Sequence, residues 1–207
     1  MIKPAWKPIL FIVSAPSGAG KTTLCEKLRA EFKTMHYAIT ATTRPARDGE
    51  RDGVHYYFLA AEEFERRLAA GDFFEHAVVH GRRYGSPKGP VVEALKAGKD
   101  VLMNLDVQGA SSLRACVAAA PAGDILHREL VDIFVVPPSL EVLRNRLVRR
   151  GTDSREAIER RMKIAEEEIS HWREYKYMVV NDDLAEAYDN LRAILLAEHH
   201  LIRDIEG

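Results

Sequence analysis

The chain has 207 residues, of which 46% are hydrophobic and 29% are charged. This is ordinary globular usage, which excludes a disordered, collagenous or fibrous chain, and the length predicts one domain spanning 1–207. Acidic and basic residues nearly balance, 31 against 30, for a net charge of −1. No overall field therefore draws the chain to nucleic acid or to an anionic membrane, and any anion binding must be local.

Cysteine content and hydropathy indicate the compartment. The two cysteines, Cys25 and Cys116, are too few for a disulfide framework, so a reduced setting is expected. The opening apolar run, residues 9–13, is far shorter than a membrane span, and no signal-peptide cleavage site follows it. We expect a cytoplasmic protein with no membrane partner.

Short apolar runs rich in β-branched residues predict strands that are buried on both faces of a parallel sheet. Residues 9–13 form the first run, and after a glycine-rich turn the pattern changes to helical spacing from Thr22. Further runs lie at 101–105, 133–136 and 177–180. Strands that alternate with helices predict a doubly wound α/β sheet.

Two segments interrupt this alternation. Residues 37–87 predict an inserted lobe with extended pieces at 37–41 and 55–59, a helix near 62–69 and a strand over 73–79. Residues 139–172 predict a charged helical hairpin that can move as a lid. Asp153 and Glu156 have the spacing of a capping box for its second helix. The remaining subregions, 1–36, 88–138 and 173–207, are predicted to form the core.

A glycine-rich loop joins the first predicted strand to the first predicted helix. Its sequence nearly matches the phosphate-loop pattern, with Ala15 where the strict pattern has glycine. Backbone N–H groups in such a loop turn toward phosphate oxygens, a lysine adds a cation, and a hydroxyl adds a Mg²⁺ ligand. The pattern predicts a nucleoside triphosphate site, as found in motors, GTP switches and small-molecule kinases, formed by Ser14, Ala15, Pro16, Ser17, Gly18, Ala19, Gly20, Lys21, Thr22 and Thr23.

A second candidate anion site lies in the predicted lobe. Arg44 and Arg47 are three residues apart on a loop stiffened by Pro45, and Tyr56 follows. Two guanidinium groups can hold one phosphate through charge-assisted hydrogen bonds, and a phenol can complete the site. On these residues alone, a solvated arginine loop is an equal alternative.

Taken together, the motifs resemble a guanylate kinase from Pro8 to about Ala197. The segments that carry the resemblance stand in family order: residues 14–24, Thr-Thr-Arg-Pro-Ala-Arg at 42–47, Gly-Glu at 49–50, Gly53, Phe-Phe-Glu at 73–75, Tyr-Gly-Ser at 84–86, Leu-Asp-Val-Gln-Gly at 105–109, Val-Pro-Pro-Ser at 136–139 and Val-Asn-Asp-Asp at 180–183. The resemblance implies a phosphate-loop, three-layer α/β fold with a central parallel sheet, an inserted GMP-binding lobe and a helical lid.

The resemblance also implies a GMP site with two groups of residues. One group would hold the phosphate: Arg44, Arg47, Tyr56 and Tyr84. The other would read the guanine: Thr40, Glu75, Ser86 and Asp106. Guanine presents donors at N1 and N2, which a carboxylate can accept, and an acceptor at O6, which hydroxyls can serve. Adenine reverses this pattern at positions 1 and 6, so an unpaired carboxylate would discriminate against it.

For ATP and the transfer step, the resemblance assigns Lys21 to the β- and γ-phosphates and Thr22 to Mg²⁺. The lid arginines that match the family are Arg146, Arg150 and Arg161, and Asn181 matches a residue near the adenine. Direct in-line phosphoryl transfer needs positioning and positive charge rather than a protein nucleophile. Asn104 stands where a carboxylate often supports Mg²⁺ through water, so the charge available to the metal is smaller.

The resemblance predicts ATP-dependent phosphorylation of GMP, and of dGMP, by a Mg²⁺-using monomer or small homo-oligomer. One alternative is an inactive phosphopeptide-binding module, which would have no need of Lys21, Thr22 and the lid arginines. Another is a kinase for a ribose phosphate, which would have no use for Glu75 or Ser86. The basic residues of the predicted lid also allow a solvated face or an RNA-binding patch. No aromatic residues lie between these basic residues to stack on nucleotides, so no nucleic-acid partner is predicted.

Overall fold

The computed structural model describes residues 7–79, 81–121, 123–127, 130–149 and 154–201. In chain order its elements are β1 (Leu10–Ser14), α1 (Lys21–Glu31), β2 (His36–Tyr37), β3 (Ala41–Thr42), β4 (Tyr57–Phe58), α2 (Ala61–Ala69), β5 (Phe73–Val79), β6 (Arg82–Pro87), α3 (Lys88–Lys96), β7 (Val101–Leu105), α4 (Val107–Ala118), β8 (Leu130–Val136), α5 (Leu140–Arg149), α6 (Arg155–Ser170), β9 (Tyr177–Val180) and α7 (Leu184–His199). Short 3₁₀ helices cover Ile125–His127 and His171–Glu174.

The central sheet is parallel throughout, with strand order β2-β7-β1-β8-β9. Successive side chains of a strand point to opposite faces, and β1 shows this clearly. Phe11 and Val13 pack on the α1 and α7 side, whereas Leu10 and Ile12 pack on the α3 and α4 side. All four side chains are buried. The prediction of an α/β fold with a central parallel sheet, covered on both faces, is confirmed.

A second sheet has the order β4-β3-β6-β5. Ala41, Phe64 and Phe73 form its small core, in which the rings of Phe64 and Phe73 stack with centroids 4.6 Å apart. The sheet lies within the range predicted for the inserted lobe, and the division of the chain into subregions stays a prediction.

The extended piece predicted at 37–41 is not one strand. His36–Tyr37 pairs with β7 in the central sheet, whereas Ala41–Thr42 pairs with β4 and β6 in the second sheet. The segment therefore crosses between the two sheets. Local β-propensity did not reveal this break, because the pairing partners are distant in sequence.

Helices α5 and α6 pack on each other through a core of their own, made of Leu143, Leu147, Ile158, Met162 and Ala165. The predicted capping box is wrong in its first residue. The N-cap of α6 is Ser154, whose Oγ accepts from the Ala157 N–H at 3.3 Å, and Asp153 lies outside the described residues. Ser154 satisfies one of the unpaired N–H groups of the first helical turn.

Across the described ranges, no helix combines the length and the apolar character that a membrane crossing requires.

Candidate active site

The predicted phosphate loop connects the C-terminal end of β1 to the first residue of α1. Gly20 caps α1 with φ 95°, a left-handed conformation that favours glycine. A Cβ at this position would lie 2.2 Å from Asn181 Nδ2, so a side chain has no room. Glycine at this position thus lets Asn181 approach the backbone where the loop meets the N-terminus of α1, the end of a helix at which N–H groups can bind an anion.

Two side-chain hydrogen bonds tie this loop to residues at or just beyond the ends of β7 and β9. Asn181, which is buried after β9, donates from Nδ2 to the Ala19 carbonyl oxygen at 2.6 Å. Lys21 donates from Nζ to the Leu105 carbonyl oxygen at the end of β7. Burial lowers the pKa of Lys21, and the nearby carboxylates Asp106 and Glu168 partly oppose this effect. The ammonium group is therefore held at the end of the central sheet, where anionic neighbours favour its charged form.

A pocket of about 360 Å³ opens beside the loop. The residues that line it come from the loop, from α5 and from the start of α7: Gly18, Gly20, Thr23, Arg146, Arg149, Asn181, Asp182 and Leu184. Arg146 donates from Nη2 to the Asp182 carbonyl oxygen at 3.1 Å, so this predicted catalytic arginine borders the pocket. Arg161 is half-buried on α6, and Arg150 lies outside the described residues.

The predicted phosphate-binding arginines lie on the loop after β3. Arg44 makes a bidentate ion pair with Glu50, with N–O distances of 2.9 and 2.8 Å. Glu50 also accepts from the backbone N–H of Arg47 at 2.7 Å. These hydrogen bonds lower the pKa of Glu50 to about 2, and Glu50 in turn raises the pKa of Arg44. Glu50 therefore fixes the Arg44 guanidinium, whereas the Arg47 side chain is exposed.

The two predicted tyrosines stand next to Arg44. The Arg44 guanidinium carbon lies 5.3 Å from the ring centroid of Tyr56, and the rings of Tyr56 and Tyr84 meet edge to face at 6.2 Å. Interaction with Tyr84 also raises the pKa of Arg44. The structure brings Arg44, Tyr56 and Tyr84 together, with the Arg47 backbone beside them.

The four predicted guanine-reading residues form a second cluster. Ser86 donates from Oγ to Glu75 Oε1 at 2.6 Å, across the pair β5 and β6. Burial raises the pKa of Glu75, the Ser86 hydrogen bond lowers it, and Asp106 raises it. Thr40 directly precedes Ala41, which pairs with Gly85, so the register places Thr40 near Ser86.

Asp106 has a structural role as well as a predicted one. It is the N-cap of α4, and its Oδ1 accepts from the Gly109 N–H at 2.7 Å. A Cβ on Gly109 would come within 3.2 Å of Asp106 Oδ1 and 3.4 Å of Glu75 Cγ. The absent side chain at Gly109 thus lets Asp106 and Glu75 approach each other. Because Lys21 contacts Leu105, the residue before Asp106, the segment 105–106 joins the phosphate loop to the guanine cluster.

Metal ligation has limited support from protein groups. Within the residues that the structure describes, no group of three or more His, Cys, Asp or Glu side chains could hold a metal ion. Thr22 is exposed on the first turn of α1. Asn104 donates from Nδ2 to Tyr37 Oη at 3.4 Å, so its amide group is directed toward β2. A Mg²⁺ ion that arrives with a nucleotide takes most of its ligands from phosphate and water, so one hydroxyl fits this chemistry.

Two carboxylates of the site were missed as site residues in the sequence analysis. Glu50 holds Arg44, and Glu168 on α6 accepts from the Ser17 N–H of the loop at 3.3 Å. Glu50 lies six residues after Arg44, a spacing that does not by itself predict an ion pair. Glu168 is 151 residues from Ser17, so no local signal could have found it.

A larger cavity of about 600 Å³ lies between α1, β2 and the second sheet. Its lining includes Arg29, Lys33, His36 and Tyr57, and none of the predicted site residues that the structure describes. The predicted chemistry is therefore concentrated elsewhere, around the segment 105–106.

Comparison with known proteins agrees with this geometry. The family model described as guanylate kinase matches residues 7–198. The guanylate kinase of Symbiobacterium thermophilum is 46% identical over 192 residues, which cover 93% of this chain and 86% of that protein. The guanylate kinase of Sphingopyxis alaskensis is 48% identical over 190 residues, which cover 92% of this chain and 82% of that protein.

A solved guanylate kinase structure also matches the fold of this chain. The crystal structure of guanylate kinase from Anaplasma phagocytophilum matches with a TM-score of 0.69 and 33% identity, over 94% of this chain and 88% of that chain. The match of the family model and the identity to these relatives both extend over nearly the whole chain, and so over both clusters of the site. This chain belongs to the guanylate kinase family.

Proposed function

We propose that this protein transfers the γ-phosphoryl group of ATP to GMP, forming ADP and GDP in a closed site. Family membership supports this reaction. The roles assigned to individual residues rest on one observation: both halves of the site meet at the segment 105–106. The Lys21 ammonium group contacts one end of it, and Glu75 approaches the other end beside Gly109. A triphosphate on the loop and a purine against Glu75 would face each other across this segment.

The GMP phosphate binds at Arg44, Arg47, Tyr56 and Tyr84. Glu50 already aligns the Arg44 guanidinium, so less side-chain freedom is lost when the phosphate binds. The guanine lies against Glu75, Ser86, Thr40 and Asp106, where the Glu75 carboxylate accepts the base N1 and N2 donors. These contacts are to the phosphate and to the base, so dGMP is an acceptor as well.

The ATP phosphates bind over residues 14–23, and Asn181 supports the loop through Ala19. Lys21 neutralises charge on the phosphates during transfer, and Arg146, Arg150 and Arg161 add positive charge when the lid closes. Closure also excludes water, which would otherwise accept the phosphoryl group. No protein side chain forms a covalent bond with the substrate in this scheme.

Mg²⁺ accompanies ATP, and Thr22 is the protein hydroxyl that would hold it. The ion would offset the negative charge of the phosphate oxygens. With Asn104 in place of a carboxylate, the protein adds little charge of its own to the metal.

The test is an acceptor panel. Purified protein with ATP and Mg²⁺ is offered GMP, dGMP, AMP, UMP, CMP and ribose 5-phosphate in turn, and ADP release is measured. ADP should form with GMP and dGMP alone. Absence of ADP with every acceptor would indicate a binding module, and ADP with ribose 5-phosphate but not GMP would indicate a different kinase.

A further inference from the structure

A carboxylate from the predicted lid lies on the phosphate loop. Glu168 Oε2, near the C-terminal end of α6, accepts from the backbone N–H of Ser17 at 3.3 Å. Ser17 belongs to the loop whose N–H groups are proposed to face the phosphates of ATP. An acidic side chain of the protein itself therefore occupies one donor of the proposed anion site.

The position of Glu168 on α6 separates it from its acidic neighbours. Met162 and Ala165 pack inside the α5 and α6 core, and Glu168 follows Ala165 by three residues, which places it near the same helical face. Glu168 is half-buried, whereas Glu166 and Glu167 are exposed. The helix thus directs one carboxylate of the three toward the loop.

Glu168 interacts with charged groups that surround the loop. Burial raises the pKa of Glu168, and the Ser17 hydrogen bond opposes this effect. Asp106 raises the pKa as well, and Lys21 and His171 lower it. Glu168 in turn favours the charged form of Lys21. The carboxylate therefore interacts with the ammonium group that is assigned to the nucleotide phosphates.

We propose that Glu168 is a positioning residue that occupies the Ser17 N–H while the loop is empty and is displaced by the phosphates of ATP. This rests on the proposed function of residues 14–23 as the ATP site. A carboxylate and a phosphate oxygen repel each other and cannot share one donor. Because Glu168 is carried by α6, releasing its contact with Ser17 frees that end of the helix from the empty loop and so couples ATP binding to the position of the lid.

The first test removes the charge and keeps the shape. Glu168→Gln retains an oxygen that can accept from Ser17, but it no longer repels phosphate. We expect the Kd of MgATP, measured by calorimetry, to fall by about three- to tenfold, which is the effect that one ordinary hydrogen bond has on an equilibrium constant. The Kd of GMP should not change. Glu167→Gln is the matched control on the exposed side of the helix and should leave both constants unchanged.

The second test follows the helix itself. Trp172 lies four residues beyond Glu168 in the 3₁₀ helix His171–Glu174, and its side chain is 38% exposed. The chain has two tryptophans, so Trp6→Phe leaves Trp172 as the single reporter. MgATP should change the emission of Trp172 in this background. Adding Glu168→Gln should reduce that change, because the tie to Ser17 is already weakened.

The outcomes separate this inference from the proposed function. If wild-type protein phosphorylates GMP but Glu168→Gln binds MgATP no more tightly, the displacement of Glu168 is wrong and the proposed function stands. An equal gain in Glu167→Gln would also overturn it, since the effect would then be one of net charge. If wild-type protein forms no ADP with GMP, the proposed function fails whatever the Glu168 variant does. Glu168→Ala, which removes both charge and acceptor, should shift ATP affinity in the same direction as Glu168→Gln.

Discussion

The two halves of the candidate site are built in different ways. On the ATP side, the loop is backbone that the central sheet holds in place. Asn181 contacts the Ala19 carbonyl and Lys21 contacts the Leu105 carbonyl, both near buried strands. On the GMP side, side chains hold one another, with Arg44 on Glu50 and Ser86 on Glu75.

The sheets that support the two halves also differ in how extensively they are packed. The central sheet is packed on both faces by buried clusters, whereas β3 and β4 of the second sheet are two residues each and rest on a core of three buried side chains. Because the two halves rest on different scaffolds, a substitution in one half should leave ligand binding in the other half unchanged. Substitutions on the ATP side should reduce turnover, and substitutions on the GMP side should weaken GMP and leave ATP unaffected.

The largest effect is expected at Lys21. Lys21→Met removes the cation assigned to the transferring phosphoryl group, so kcat should fall by about 10²–10³-fold. The Kd of GMP, measured by calorimetry, should stay within about twofold of the wild-type value, because no GMP contact is lost. Lys33→Met, beyond the end of α1, is the exposed control. Loss of GMP binding in step with turnover would show that the halves are not separable.

Glu75→Gln should have the next largest effect. The amide keeps the size of the side chain but presents a donor where the carboxylate accepts, so the KM for GMP should rise by about 10–100-fold. The KM for ATP should not change, and Glu62→Gln on the exposed face of α2 should change neither constant. Equal increases for both substrates would contradict the guanine-reading role of Glu75.

A smaller effect is expected at Glu50, which acts through Arg44. Glu50→Gln removes the charge from the partner of Arg44 in the bidentate ion pair. Because Arg44 then loses its fixed orientation, the KM for GMP should rise by about three- to tenfold. Steady-state kinetics with GMP varied would detect this, with Asp48→Asn as the exposed control. Tighter GMP binding would instead show that Glu50 competes with the phosphate.

The smallest expected effect is a pH dependence. Glu75 can accept from both N1 and N2 of guanine only when it is ionised, and burial raises its pKa above the ordinary 4.5. GMP binding should therefore weaken as pH falls through this raised value, and the KM should be about twofold higher where Glu75 is half protonated. The GMP phosphate titrates as well, so the measurement is the difference between the pH profiles of wild type and Glu75→Gln. Parallel profiles would contradict an ionised Glu75 in the complex.

Much of the fold could be predicted because apolar runs define buried strands. The strands over Phe73–Val79, Val101–Leu105 and Tyr177–Val180 have the predicted bounds. The segment 37–41 could not be predicted as a crossing between sheets, because its pairing depends on β6 and β7, which lie far along the chain.

The site shows the same contrast. Residues in local motifs, such as the loop over residues 14–23, were identified from spacing, and their assigned contacts with nucleotides remain predictions. Glu168 was missed because it meets Ser17 only after the chain has folded. Asp106 was predicted as a guanine contact, and its second role as the N-cap of α4 depends on where the helix begins.

A crystal structure with bound GMP would decide whether a monophosphate pocket faces the phosphate loop across residues 105–106. We expect the GMP phosphate to lie beside Arg44, Tyr56 and Tyr84 and the guanine edge to lie against Glu75. GMP bound on the loop of residues 14–23, or in the 600 Å³ cavity beside Arg29 and Lys33, would contradict it.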